Sequence, residues 1–91
     1  MEFLSKLLKV AANENRIKML RILLDGKAME IGDIANRVNL PYKTTARNLK
    51  ILEKHDFLES NFNSGYVYYS LKKRKQNSFH DKILKMIKRR I

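Results

Sequence analysis

Cysteine is absent from the 91 residues, which excludes disulfides, thiolate metal sites, cysteine nucleophiles and thiol redox switching. Glycine occurs three times and proline once, so no Gly-rich loop is present to cradle a phosphate. Apolar runs are far shorter than the roughly 18 residues a membrane span requires, and the opening MEFLSKLLKV is too polar for a signal peptide. A soluble, cytoplasmic chain is expected. Two histidines and scattered carboxylates supply no acid–base pair or activated nucleophile, so an enzyme is not expected. Acidic residues are few, nine against 20 Lys and Arg, for a formal charge of +11. Residues 72–91 hold nine of the bases and one Asp. A balance of this kind selects polyanionic partners, nucleic acid before anionic membrane.

What is present is hydrophobic periodicity. The length permits one domain, residues 1–91, with a single core. In 2–12 the spacing of Phe3, Leu4, Leu7, Leu8 and Ala11 predicts an amphipathic helix. A second begins after Asn13 as N-cap and runs through Ile17, Leu20, Ile22, Leu23 and Leu24 to stop at Asp25-Gly26. A short extended piece over Lys27 to Met29 follows. Ile31, Ile34, Ala35 and Val38, spaced i, i+3, i+4, i+7, make a third helix from Glu30 to Val38. Asn39 tolerates positive φ and Pro41 suits a helix start, so a sharp turn leads into a fourth helix, about 41–55, burying Leu49 and Leu52. Enrichment in aromatic and β-branched residues then predicts a hairpin over 58–71 with Asn63-Ser64-Gly65 as its loop. The final segment carries Phe79, Ile83, Met86, Ile87 and Ile91 along one face and bases on the other. Met19, Met29 and Met86 read as core or interface filling.

The fold class is thus mainly α with a small β-hairpin (α+β), in the order α-α-β-α-α-β-β-α. Two helices joined by a short turn and followed by a hairpin are the order of a winged helix-turn-helix, whose second helix enters the major groove of DNA. With Leu49 and Leu52 facing inward, Tyr42, Lys43, Ala46, Arg47 and Lys50 point outward. Tyr42, Lys43, Ala46 and Arg47 are candidates for base edges: Lys43 or Arg47 for guanine O6 and N7, Ala46 for a thymine methyl. Thr44 and Lys50 suit phosphate, as do the wing residues Ser64, Gly65 and Tyr66 and the bases Lys72 and Lys73 that leave the wing. Of Tyr66, Tyr68 and Tyr69, two are expected in the core. The apolar stripe of 76–91 has little core left to cover, and with the first helix it predicts a symmetric homodimer through Phe3, Leu4, Leu7, Leu8, Phe79, Ile83, Met86 and Ile87.

The runs Ala12-Asn13-Glu14-Asn15-Arg16-Ile17-Lys18-Met19-Leu20, Ile31-Gly32-Asp33-Ile34-Ala35, Thr44-Thr45-Ala46-Arg47-Asn48-Leu49-Lys50-Ile51-Leu52 and Gly65-Tyr66-Val67-Tyr68-Tyr69-Ser70-Leu71 resemble the ArsR-type (arsenic-repressor-like) winged-helix regulators. The resemblance spans about residues 4–72. It implies a homodimeric regulator of transcription, usually a repressor, that pairs through its first and last helices and binds imperfect palindromes. Departures accompany it. The family's cysteine metal motif is replaced by Met29-Glu30-Ile31-Gly32-Asp33, and His80-Asp81 is half of a second family metal site whose later ligands are replaced by Lys and Arg. No metal and no cofactor are therefore expected, and His80 is expected to be a solvated helix residue. The family's frequent His before the recognition-helix Leu is Asn48, and the wing loop is neutral. Two other readings compete with the regulator: a DNA-coating protein dominated by charge, and a protein-interaction module using the basic C-terminal helix.

Overall fold

The computed structural model describes residues 2–73 and 75–89. The element order is α1 (Glu2–Ala11), α2 (Glu14–Ile22), β1 (Met29–Glu30), α3 (Ile31–Val38), α4 (Tyr42–Lys54), β2 (Leu58–Asn63), β3 (Tyr66–Leu71) and α5 (Phe79–Lys88), the expected α+β order. Arg74 of the basic run, Arg90, and Ile91 of the apolar stripe lie outside the described residues.

Local chemistry sets the helix starts. Asn13 is extended and its Oδ1 accepts the Arg16 N–H at 3.1 Å, satisfying one of the open donors at the start of α2. Ser78 does the same for Asp81 N–H in α5, and the Asp81 carboxylate in turn accepts the Asn77 N–H at 2.9 Å. Asn39 is left-handed (φ 59°, ψ 50°) and closes α3 with its N–H on the Ala35 carbonyl. The Leu40 N–H reaches the same oxygen at 3.1 Å, and Pro41 then precedes α4 with φ −58°. The connection from α3 to α4 is therefore as short as the sequence predicts.

α4 ends at Lys54, within a residue of the expected 55, but the way it is closed was not foreseen. Asp56 is left-handed (φ 65°), its N–H bonds Glu53 O, and the Phe57 N–H bonds Leu52 O at 2.9 Å. This is a Schellman closure with Asp where glycine is usual, sealed by the buried pair Phe57 and Leu52.

Three further differences have packing causes. In α1 the buried sector is Leu7, Val10 and Ala11, while Phe3 and Leu8 stay exposed, because α2 and α5 cover only that side of the helix. The second helix stops at Ile22, short of Asp25-Gly26. Leu23 takes a non-helical conformation and Gly26 (φ +84°) completes a turn of its own. The last helix begins at Phe79 after its Ser78 cap, later than residue 76, and buries Leu84 besides Ile83 and Ile87.

The three strands form an antiparallel sheet in the order β1-β3-β2. β3 pairs with β1 at Met29↔Tyr69 and with β2 from Leu58↔Leu71 to Asn63↔Tyr66. The hairpin loop is two residues long. Ser64 (φ 52°) and Gly65 (φ 87°) both take positive φ, the I′ geometry whose twist matches the flanking strands. A core of aliphatic side chains from every helix, closed by Phe57, Leu58 and Tyr69, lies between the helices and the base of the sheet.

Candidate nucleic-acid interface

The outward side of α4 carries Tyr42, Lys43, Arg47 and Lys50, all exposed. Its inward side buries Thr45, Leu49 and Leu52. Ala46 is half-buried and packs on the core, which leaves only part of its methyl surface outward. Thr44 is half-buried, and its carbonyl accepts a hydrogen bond from Asn48 Nδ2 at 2.9 Å. Lys54 continues the basic face into the last turn.

The single acid of α4, Glu53, is turned toward the wing. Its carboxylate accepts from Ser60 Oγ at 2.6 Å and from the Tyr69 hydroxyl at 3.5 Å. Burial and the neighbouring Glu53 push the Tyr69 phenol up, so it stays a neutral donor. These bonds fix the hairpin against α4 and remove the one negative group from the exposed basic row.

On the wing, Tyr69 is buried, Tyr68 half-buried and Tyr66 exposed. Ser64 and Gly65 form the exposed tip. Lys72, expected to be available to phosphate, is instead in an exposed ion pair, its Nζ 2.9 Å from Asp56 Oδ1. That contact holds the Asp56 carboxyl below its usual range and raises the lysine. Lys73 is exposed.

Arg16 supports α4 from the inner side, a role that pattern reading missed. Its Nε donates to the Val10 carbonyl at 2.8 Å and its Nη1 to Asn48 Oδ1 at 3.2 Å, tying α1, α2 and α4 together. Phe62, which the sequence places only as part of the hairpin, is exposed.

His80 is not the solvated residue expected. It is half-buried, its Nε2 lies 2.8 Å from the His55 carbonyl oxygen, and its ring meets Phe57 edge-on at 4.7 Å. Since a carbonyl only accepts, Nε2 carries the proton. Asp81, in the first turn of α5, accepts the Asn77 N–H and meets Lys85 at 3.3 Å. Among the described residues, no group of three or more His, Asp or Glu side chains is placed to hold a metal ion.

Along α1 and α5, Phe3, Leu8, Phe79 and Met86 are exposed and Leu4 half-buried. Leu7, expected in an interface, belongs instead to the core of its own chain. Ile83 and Ile87 are buried yet border, with Leu8 and Met86, an apolar cleft between the two helices.

A short-turned helix pair with an exposed basic second helix, flanked by a hairpin, defines a winged helix-turn-helix domain. Residues 11–61 match the family described as helix-turn-helix domain. The cadmium resistance transcriptional regulatory protein CadC of Listeria innocua serovar 6a is 31% identical over 64 residues, covering 70% of this chain and 54% of that protein. The chain thus spans about half the length of the curated relatives it matches. Among solved structures, the transcriptional regulator HlyU from Vibrio vulnificus CMCP6 superposes with a TM-score of 0.72 at 26% identity, covering 90% of this chain and 77% of that one. The homodimeric winged helix-turn-helix DNA-binding domain Mb0332 from Mycobacterium bovis superposes with a TM-score of 0.76 at 19% identity, covering 94% and 72%. The chain belongs to the helix-turn-helix domain family, and its fold is that of the winged helix-turn-helix proteins.

Proposed function

We propose that this chain binds double-stranded DNA sequence-specifically as a homodimer and regulates transcription, as a repressor, by occupying promoter DNA. The observation that carries the reading is the outward face of α4. It presents Lys43, Arg47 and Lys50 to solvent while its one carboxylate is held by Ser60 and Tyr69. Lys43 and Arg47 would donate to guanine edges, Tyr42 and the exposed part of Ala46 would touch neighbouring bases, and Lys50 and Thr44 would meet phosphate. Ser64, Gly65, Tyr66 and Lys73 would contact the backbone beside the wing, Lys72 doing so on release from Asp56.

The two-fold contact is proposed along α1 and α5, where exposed Phe3, Leu8, Phe79 and Met86 form an apolar face. CadC is named a transcriptional regulatory protein and Mb0332 a homodimeric DNA-binding domain, which supports both parts of the reading. The proposed activity is occupancy of DNA in the cytoplasm, without a chemical step, a metal or a cofactor. No described helix is long and apolar enough to cross a membrane.

The test is selection of bound duplexes from a random library at near-physiological salt. An enriched palindrome with half-site centres about 10 to 11 base pairs apart is the expected result. Salt-sensitive binding without enrichment would mark a DNA-coating protein instead.

A further inference from the structure

The sheet has two edges of unlike kind. β1, at one edge, is two residues long and runs straight into α3, so it offers little to pair with. β2, at the other, is six residues long and is bonded on one side only, to β3. The ladder fixes which of its backbone groups are free. In a hairpin with a two-residue loop the flanking residues, Asn63 and Tyr66, exchange hydrogen bonds, and bonded pairs then alternate with unbonded ones. The Phe57 carbonyl, accepting the Lys72 N–H at 3.1 Å, continues that alternation at the base of the hairpin. Glu59, Asn61 and Asn63 therefore direct their N–H and C=O groups to β3, and Ser60 and Phe62 direct theirs to the open edge. Among the described residues no strand or loop pairs with that side, and Glu59 to Asn63 are all exposed.

Open strands are normally blunted by lysine, proline or a bulge. β2 has none of the three. Its register with β3 is unbroken from Leu58↔Leu71 to Asn63↔Tyr66, and residues 55–71 are the longest stretch of the chain without Lys or Arg. It carries instead Phe62, 71% exposed, on the face shared with Leu58 and Ser60. The charge of the chain selects the occupant. At +11, two copies repel wherever their bases meet. Both α1 and α5 carry exposed lysines, and the hairpin has none. β2 is also complementary to itself. Antiparallel pairing centred on Ser60 lets the two Ser60 residues exchange both backbone bonds. It sets Phe62 of each copy opposite Leu58 of the other and Glu59 opposite Asn61, so no two carboxylates meet.

We propose that the outer edge of β2 is a self-association site, at which a second copy of this chain adds its own β2 antiparallel through Ser60 and Phe62 and continues the sheet across the pair. The contact is separate from the one proposed along α1 and α5, since the hairpin packs on α3 and α4. It stands whether or not the chain binds DNA. Copies joined through α1 and α5 keep β2 open, so the two contacts together link dimers into larger assemblies. A single strand pair is marginal in water. The association is therefore weak, and it appears at high protein concentration or where copies are held close to one another.

The experiment follows amide hydrogen exchange by NMR in the full chain, without DNA, from micromolar to millimolar protein, for wild type and Phe62→Lys. The variant places a lysine on the edge, and because Phe62 is exposed it keeps the fold, which far-UV dichroism verifies. In wild type the Ser60 and Phe62 amides are expected to exchange about tenfold more slowly at the highest concentration than at the lowest. The Asn61 amide, bonded to β3 throughout, should change little. In Phe62→Lys the Ser60 and position-62 amides should stay fast at every concentration. Fast exchange of both in concentrated wild type overturns the pairing and leaves the edge to an extended peptide of another protein. Slowing that persists in Phe62→Lys, or that reaches Asn61 equally, overturns it as well, because its source is then not the open side of β2. A dimer formed only along α1 and α5 would slow neither amide.

Discussion

Arg16 and Asn48 are joined at 3.2 Å, Nη1 to Oδ1, although 32 residues separate them. The same guanidinium holds the Val10 carbonyl through Nε at 2.8 Å, and Asn48 holds the Thr44 carbonyl through Nδ2 at 2.9 Å. One planar cation thus sets the proposed dimer helix α1 against the proposed reading helix α4. Arg16→Ala leaves two half-buried acceptors without donors and is expected to cost about 1–3 kcal/mol. Arg16→Lys recovers only part, since one ammonium does not reproduce the fork. Urea denaturation with an unchanged m-value checks this, and full recovery by Lys would show that charge alone matters.

On α4 the exposed bases should separate into two kinds. Arg47→Ala and Lys43→Ala are expected to lower affinity for the selected duplex by about 1–3 kcal/mol each and to relax the preference at the base each one reads. Lys50→Ala should weaken all duplexes alike and reduce the salt slope by about 1. Competition binding on the selected site and single-base variants distinguishes them. Equal loss on every sequence for all three would remove the case for direct readout.

The elements were legible because their signals are local. Ile31, Ile34, Ala35 and Val38 form a helical stripe whatever surrounds them, and all four are buried. Asn39 and Gly65 take the positive φ that these two residue types tolerate. Asp56 does so too; the stop of α4 near residue 55 was legible from the change to a strand pattern, but the left-handed closure at Asp56 was not, since Gly is usual there. His80 looked solvated because nothing in its helix reveals that the His55 carbonyl and the Phe57 ring face it. The outward residues of α4 followed from the inward leucines. The Arg16 bridge did not, because it depends on how three helices dock.

Asp56 and Lys72 make the ion pair whose titration is readable. Lys72 keeps the folded Asp56 carboxyl below its unfolded pKa. The stabilisation is therefore present above the ordinary carboxylate range and lost as pH falls through the folded value. Lys72 is raised, so the same contact persists below the ordinary lysine value and fades as pH rises through the raised one. Asp56→Asn keeps a residue that tolerates the left-handed backbone. It should melt slightly below wild type at neutral pH, and the gap should close in strong acid and in high salt, the groups being exposed. A gap unchanged from neutral to strongly acidic pH would show that the pair is not its source.

Met86 is 60% exposed on α5 beside the cleft lined by Leu8 and Ile87. Met86→Glu retains a helix-forming residue and disturbs little of the chain's own core, but it places a charge in the proposed two-fold contact. Sedimentation velocity is expected to show wild type as a dimer and the variant shifted to monomer with unchanged far-UV dichroism. A variant that remains dimeric at the same concentration would move the interface away from this face.

Thr45 is fully buried on the inward side of α4, and among the described residues its Oγ1 has no hydrogen-bond partner. A hydroxyl stripped of water without a partner is a cost, and valine has nearly its shape with similar helix propensity. Thr45→Val is expected to raise stability by about 1 kcal/mol, while Thr45→Ser, which keeps the hydroxyl and removes a buried methyl, should lower it by about as much. Since Lys43, Arg47 and Lys50 are exposed on the other side of the helix, neither change should alter affinity for the selected duplex at a temperature where both variants are folded. Thermal melts paired with duplex titrations make the check. Destabilisation by Val would show that the hydroxyl is bonded in solution, and a change in affinity without a change in stability would show that Thr45 sets the pose of α4.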